Sequence, residues 1–334
     1  MKVNIVSETP YFPKGQGVHT AFLNTVQMLR HQHVHVLINS LKKADINHFH
    51  TLGPFALYKL ATSHNKVISA HIVPDSLVGS LRGYRYWGKL STRYLVSYYN
   101  SADLVLAVAP KVKIELKKIG VKKRIEVFPN PINTSLFKKD KILREEGRKR
   151  FGIAKDAVVI IGSGQVQPRK GIEDFMHVAK SFPEYTFLWV GGKPFSALTE
   201  YSKELDYFQD NPLPNTRITG IVPYHDMPYY FNAADIFLFP SFQENAPMAV
   251  IEAAACGLPL LLRNLEEYKL LYHEGYLGGQ DEKDFENYIK KLVNDKDYYA
   301  QMSKRALDLS SQFTFNKLGN KLVELYQSVI DQNT

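Results

Sequence analysis

Two carboxylates stand eight residues apart in the segment SFQENAPMAVIEAAACGLPLL, residues 241–261: Glu244 and Glu252. Pro247, between them, suits the first position of a helix, and Gly257 and Pro259 supply its stop. Glu244 then falls in the loop ahead of the helix and Glu252 on its second turn. MAVIEAAACG is apolar enough to bury Glu252, and a buried carboxylate needs hydrogen-bond donors. Ligand hydroxyls are donors of that kind, and the free N–H groups at the helix start favour an anion nearby. The alternative is a solvent-exposed Glu252, with Glu244 merely complementing the helix dipole.

Anion chemistry is also suggested by two glycine turns. TPYFPKGQGVHTAF places Gly15 and Gly17 ahead of a helix; IIGSGQVQPRKGIEDF places Gly162 and Gly164 after a strand and Gly171 ahead of the next helix. Glycine admits close backbone approach to a phosphate, and it also serves ordinary turns. The second turn contains Arg169 and Lys170, two cations suited to a diphosphate. Neither turn ends in the Gly-Lys-Ser/Thr of a P-loop, and the first lacks the dinucleotide G-x-G-x-x-G, which argues against an ATPase or a dehydrogenase. The histidines of RHQHVHVLINS and INHFHTLG have no cysteine or carboxylate company, so no metal site is expected. Cys256, the one cysteine, reads as a small buried apolar residue, which excludes a disulfide framework.

The elements positioning these residues alternate. KVNIVSE, VHVLINS, KVISAHIV, LVLAVAP and RIEVFPN read as buried strands separated by helical stretches. After FPNPINTSLF comes a dense charged run, residues 138–150, that offers little to a core. A second series follows: AVVIIGSG, TFLWVGG, RITGIV, IFLFPS and PLLLRN. The fold class is therefore α/β, with two doubly wound, Rossmann-like parallel-sheet domains: 1–138, a linker over 139–156, and 157–313. Ligands of such sheets lie beyond the carboxyl ends of the strands, so the site is expected in the cleft between domains.

At 334 residues and 45% hydrophobic content, the chain can bury real cores. It contains no secretory signal and no membrane-spanning apolar run, so a cytoplasmic protein is expected. Its net charge of +9 is uneven: residues 1–138 carry 19 Lys and Arg against 6 Asp and Glu, and the remaining 196 carry 23 against 27. The front half calls for an anionic partner, a nucleic acid or an anionic lipid surface. Nothing resembles a nucleic-acid module. The segment SLRGYRYWGKLSTRYLVSYYN spaces Arg82, Arg85, Lys89 and Arg93 along one helical stripe, with Tyr84, Tyr86, Trp87, Tyr94 and Leu95 as aromatic and apolar area. Such a helix suits an anionic bilayer surface; a solvated basic helix with its aromatics in the core is the alternative.

GQVQPRKG, the Glu-x7-Glu of PSFQENAPMAVIEAAACGLP, and VFPNPINTSLF together resemble glycosyltransferase family 4, retaining enzymes of the GT-B fold that use nucleotide sugars. The resemblance implies that Glu252 binds the nucleotide ribose. It places Glu244 at the donor sugar, with Asn245, Ala246, Pro247 and Met248 reaching sugar and diphosphate. Lys170 matches the diphosphate-binding lysine, Gly15 and Gly17 close over the phosphates, and His71 matches the histidine near the sugar's reactive face. The resemblance also implies that the C-terminal helix, 314–334, completes the first domain. Two positions depart from the family: Gln165 stands where arginine is usual, with Arg169 as the candidate replacement, and Pro131 stands where glycine is common. SETPYFPKGQGVHTAF and GQVQPRKGIEDF are similar to Gram-positive bacterial diacylglycerol glycosyltransferases. That similarity implies a peripheral membrane enzyme transferring galactose or glucose from a UDP-sugar to a membrane glycolipid, without cofactor or metal. A polysaccharide or teichoic-acid acceptor, or a catalytically silent sugar-nucleotide-binding subunit, are the alternatives.

Overall fold

The computed structural model describes residues 1–11, 17–74, 84–192 and 211–333, the side chains of residues 84–87 excepted. It comprises two compact units, Met1–Asn133 joined by Phe313–Thr334, and Thr134–Gln312.

The first unit runs β1 (Lys2–Val6), α1 (Gly17–His31), β2 (His35–Ile38), β3 (Ile46–Phe49), α2 (Pro54–Thr62), β4 (Lys66–Ala70), α3 (Tyr84–Asn100), β5 (Leu104–Ala107), α4 (Pro110–Lys118) and β6 (Arg124–Val127). Its strands form one parallel sheet in the order β2-β1-β3-β4-β5-β6. β5, Leu-Val-Leu-Ala, is buried throughout, as a strand covered on both faces should be. β3, absent from the sequence expectation, is Ile-Asn-His-Phe and equally buried. Its polar residues are tolerated because they are bonded: Asn4 donates to Asn47 at 3.2 Å, and His48 lies 2.6 Å from the Tyr326 hydroxyl and 2.8 Å from that of Ser69. The chain order reverses between β1 and β3, so residues leaving those strands border the topological switch point.

The second unit runs α5 (Lys141–Phe151), β7 (Val159–Ser163), α6 (Ile172–Lys180), β8 (Thr186–Val190), β9 (Thr216–Ile218), α7 (Met227–Ala233), β10 (Ile236–Phe239), α8 (Met248–Ala255), β11 (Leu260–Arg263), α9 (Glu266–Tyr272), β12 (Leu277–Gly279), α10 (Glu282–Asn294) and α11 (Lys296–Ser310). Its parallel sheet is ordered β12-β11-β10-β7-β8-β9, with the reversal between β7 and β10. Ile160, Phe175, Phe187, Trp189, Leu238 and Phe285 are central to its core. The chain then returns to the first unit as α12 (Phe315–Asn333).

The charged run expected as a linker over 139–156 is instead mostly helix. Asp140 caps α5 by accepting from the N–H groups of Ile142 and Leu143, and Gly152 ends it in a left-handed conformation. Its charges are pins: Arg148 is buried and donates to the Ala233, Ala154 and Lys155 carbonyls and to Asp235, while Arg144 donates to the Asn232 and Ala234 carbonyls and the same carboxylate. The division between units also falls earlier than residue 138, because Phe137 packs on Tyr224 and Phe231.

Gly171 shows what the site demands of the backbone. Its φ is +70°, and a Cβ there would lie 2.1 Å from the Pro240 carbonyl oxygen. Gly171→Ala is expected to lower the unfolding free energy of the second unit by about 2–3 kcal/mol; an unchanged denaturant midpoint would show the turn to be permissive.

Candidate active site

Lys170 and Glu244 are brought together by the loops leaving β7 and β10, the two strands at the second sheet's reversal. The first loop ends in a short helical turn, Pro168–Lys170, closed by Gly171. The second begins at Pro240 and leads into α8. Two bonds tie them: Phe242 N–H donates to the Arg169 carbonyl at 2.8 Å, and the Ser241 hydroxyl lies 3.0 Å from the same oxygen. The Lys170 ammonium donates to Glu244 Oε1, and the Ser241 hydroxyl lies 2.8 Å from that carboxylate oxygen. Both charged side chains are nearly enclosed, at 12% and 8% exposure. Burial pulls the Lys170 ammonium below its ordinary value, with the neighbouring Glu244 carboxylate opposing it. Arg169 is half-buried and bonded to neutral oxygens, Gln167 Oε1 at 3.0 Å and the Gln243 carbonyl at 3.4 Å. Gln165, in the same loop, is half-buried and has no hydrogen bond among the described residues.

Past Glu244, Asn245, Ala246 and Pro247 are half-buried and Met248 is buried. The helix starts at Met248; Pro247, expected as its first residue, precedes it in an extended conformation. No side chain caps this end, so the first N–H groups of α8 remain an anion-binding element. Glu252, on the second turn, is 4% exposed and accepts a hydrogen bond from the Tyr224 hydroxyl at 3.0 Å. Burial pushes its carboxyl up to about 7. α9 supports the loop from behind: the Tyr272 hydroxyl donates to the Pro247 carbonyl at 3.4 Å, and the fully buried Tyr268 hydroxyl has no partner among the described residues.

In the first unit, His71 directly follows β4, and its Nε2 lies 3.1 Å from His50 Nδ1. Burial lowers His71 to about 4, so the ring is neutral at pH 7. Gly17 is the first residue of α1 rather than part of a preceding turn, and a Cβ there would meet nothing within 4 Å. Lys89 and Arg93 are exposed on α3, with Leu90 between them at 71% exposure. Leu95, counted with the surface aromatics, is instead buried beside Tyr98 and Tyr99. Gly15 and Arg82, and the side chains of Arg85 and Trp87, lie outside the described residues.

Ser241, Tyr224 and His50 were missed from the sequence. His50 has one signal, its position two residues after His48 at the end of β3; Tyr224 is 28 residues from its carboxylate and has none. Asp295 and Asp297, the single Asp-x-Asp spacing in the chain, belong to the start of α11, where Asp295 accepts from the Tyr298 N–H as a helix cap.

A buried cation, a buried carboxylate and an uncapped helix start at the switch point of a parallel α/β unit, preceded by a second such unit, are the parts of a GT-B glycosyltransferase. Residues 3–136 match glycosyltransferase family 4 and residues 144–308 match the glycosyl transferases group 1. The chain belongs to the GT-B glycosyltransferases built from these two domains. It is similar to an alpha-galactosylglucosyldiacylglycerol synthase of Streptococcus pneumoniae, 28% identical over 98% of this chain and 89% of the relative. It is also similar to a processive diacylglycerol alpha-glucosyltransferase of Acholeplasma laidlawii, 24% identical over 99% of both. Among solved structures, the sucrose-phosphate synthase of Thermosynechococcus elongatus superimposes with a TM-score of 0.80 at 15% identity, covering 99% of this chain and all of that one. Anabaena HepE, crystallised with UDP-glucose, gives 0.77 at 18%, covering 98% and 100%.

The Glu252 carboxyl provides a pH signature. A carboxyl held above its unfolded value stabilises the fold below that value, and the contribution is lost as pH rises toward about 7. Glu252→Gln is therefore expected to gain on the wild type as pH climbs from about 4.5 to 7, reaching on the order of 3 kcal/mol. Thermal unfolding of the pair across pH 4.5–8 checks this; a constant difference would exclude a raised Glu252.

Proposed function

We propose that this glycosyltransferase moves a hexose, galactose or glucose, from a UDP-sugar to a diacylglycerol-type glycolipid with retention, extending a glucosyl-diacylglycerol. The observation that carries the acceptor class is the end-to-end similarity to the two diacylglycerol glycosyltransferases.

Departure of the diphosphate breaks the bond between the anomeric carbon and a phosphate oxygen, building negative charge on the leaving group. Lys170, Arg169 and the α8 N–H groups stabilise that charge without a metal. The acceptor hydroxyl attacks the same face, its proton passing to the departing phosphate oxygen, so no carboxylate base is needed. Glu244 holds the sugar, Glu252 the ribose hydroxyls, and His71 stands by the sugar from the first unit. Gly15, Gly17, Gln165 and the Asn245–Met248 backbone belong to the same donor site in this reading. The acceptor and the membrane surface fall to the first unit, through Lys89, Arg93 and the neighbouring Arg82, Arg85 and Trp87. The protein then works as a peripheral enzyme at the cytoplasmic face of an anionic membrane. No helix among the described residues is long and apolar enough to cross a bilayer.

Mass spectrometry of UDP-galactose and UDP-glucose reactions with diacylglycerol and glucosyl-diacylglycerol is expected to give a hexose-extended glucosyl lipid. Lys170→Ala should lower kcat/KM roughly 10²–10³-fold. A wild type that glycosylates neither lipid sinks the acceptor assignment and favours a polysaccharide or teichoic-acid acceptor or a silent subunit. In flotation, the protein should rise with phosphatidylglycerol liposomes and not with phosphatidylcholine ones, less so at high salt or in Lys89→Glu/Arg93→Glu. Equal flotation of all of these would remove the electrostatic docking.

A further inference from the structure

The carboxyl ends of β3 and β4 hold three buried or half-buried histidines in contact. His48 is fixed at both nitrogens, Nδ1 at 2.6 Å from the Tyr326 hydroxyl and Nε2 at 2.8 Å from the Ser69 hydroxyl. His50 packs on it with ring centroids 4.5 Å apart, and Phe22 covers another side of His50, 6.0 Å away and near perpendicular. His50 then meets His71, Nδ1 to Nε2, at 3.1 Å. The centroids of this last pair are 5.2 Å apart with planes only 27° from parallel, which is the arrangement of two imidazoles joined edge to edge by one N–H···N bond.

One proton lies in that bond, and the other nitrogen of His50 decides whose it is. His50 Nε2 is buried and has no partner among the described residues. A buried N–H without an acceptor is rarer and costlier than a buried lone pair without a donor. The His50 proton therefore sits on Nδ1. We propose that His50 is a positioning residue for His71: it donates Nδ1–H to His71 Nε2, holds that ring in one orientation and keeps the His71 proton on Nδ1. His71 consequently has a single N–H donor, at Nδ1, and its Nε2 is committed. The role of His71 beside the sugar is the reading given above, and His50 acts on the reaction only through it.

The bond can be tested without catalysis. In full-length protein labelled with [15N]histidine, long-range 1H–15N correlation distinguishes Nδ1–H from Nε2–H imidazoles, and His50→Asn and His71→Asn assign the two rings. The expected result is Nδ1–H for both. His50→Leu should release the His71 tautomer and lower kcat by roughly 10–100-fold with the KM for the sugar nucleotide unchanged. His50→Asn, whose carboxamide N–H reaches the place of Nδ1, should retain the His71 tautomer and recover most of the rate. A wild-type His71 protonated on Nε2, with His50 Nε2–H turned to the Phe22 ring, would overturn the proposal. So would equal losses in the Leu and Asn variants with an unchanged His71 tautomer. Absence of sugar transfer in the wild type would count against the glycosyltransfer reading alone, since the tautomers still decide the bond.

Discussion

Removing an ammonium and a carboxylate from water costs several kcal/mol each, and the second unit is arranged so that Lys170 and Glu244 bear that cost together. The pair forms only because β7 and β10 are adjacent while their chain connections run to opposite sides, leaving an open crevice at their ends. Gly171 turns the Lys170 loop back against Pro240, Ser241 adds a hydroxyl contact to the carboxylate, and the Arg169 backbone clasps both loops. Lys170 thus has its charge already balanced by Glu244. Both groups are held in place by the loops that carry them, as the charged groups of a preorganised electrostatic site are.

The first unit solves the equivalent problem with neutral groups. Its loops at the same end of the sheet carry imidazoles instead of an ion pair, and burial keeps His48, His50 and His71 uncharged. Polar contact there is directed by which nitrogen holds a proton, not by net charge. Lys89 and Arg93 of this unit are instead on its surface, where they remain hydrated. Buried direction and exposed attraction are separated within one unit.

Much of this was legible in the sequence, and the failures have definite causes. Apolar strands such as Leu-Val-Leu-Ala and the glycine-flanked Arg-Lys turn declare themselves by local pattern. The burial of Glu252 followed from its alanine-rich surroundings. β3 escaped because two of its four buried positions are Asn and His, made acceptable by partners as distant as Tyr326. The α5 helix escaped because arginines that look solvated on paper are satisfied by carbonyls and one aspartate some 90 residues away. Tyr224 on Glu252 and Ser241 on Glu244 are likewise products of packing. Local sequence carries propensity and pattern; it does not carry which polar group will find which partner.

α12 closes the first unit from the far end of the chain. Tyr326 is wholly enclosed and contacts His48; Gln32 donates to the Phe315 carbonyl, and Arg124 to Ser328. The second unit is one continuous stretch and is complete once Gln312 has been made. The first unit is instead discontinuous in sequence, its sheet and α12 separated by the whole of the second unit. Its clamp on the histidines joins residues 278 apart in sequence, His48 and Tyr326, so ordering the first unit carries a larger loop-closure cost than any contact within the second.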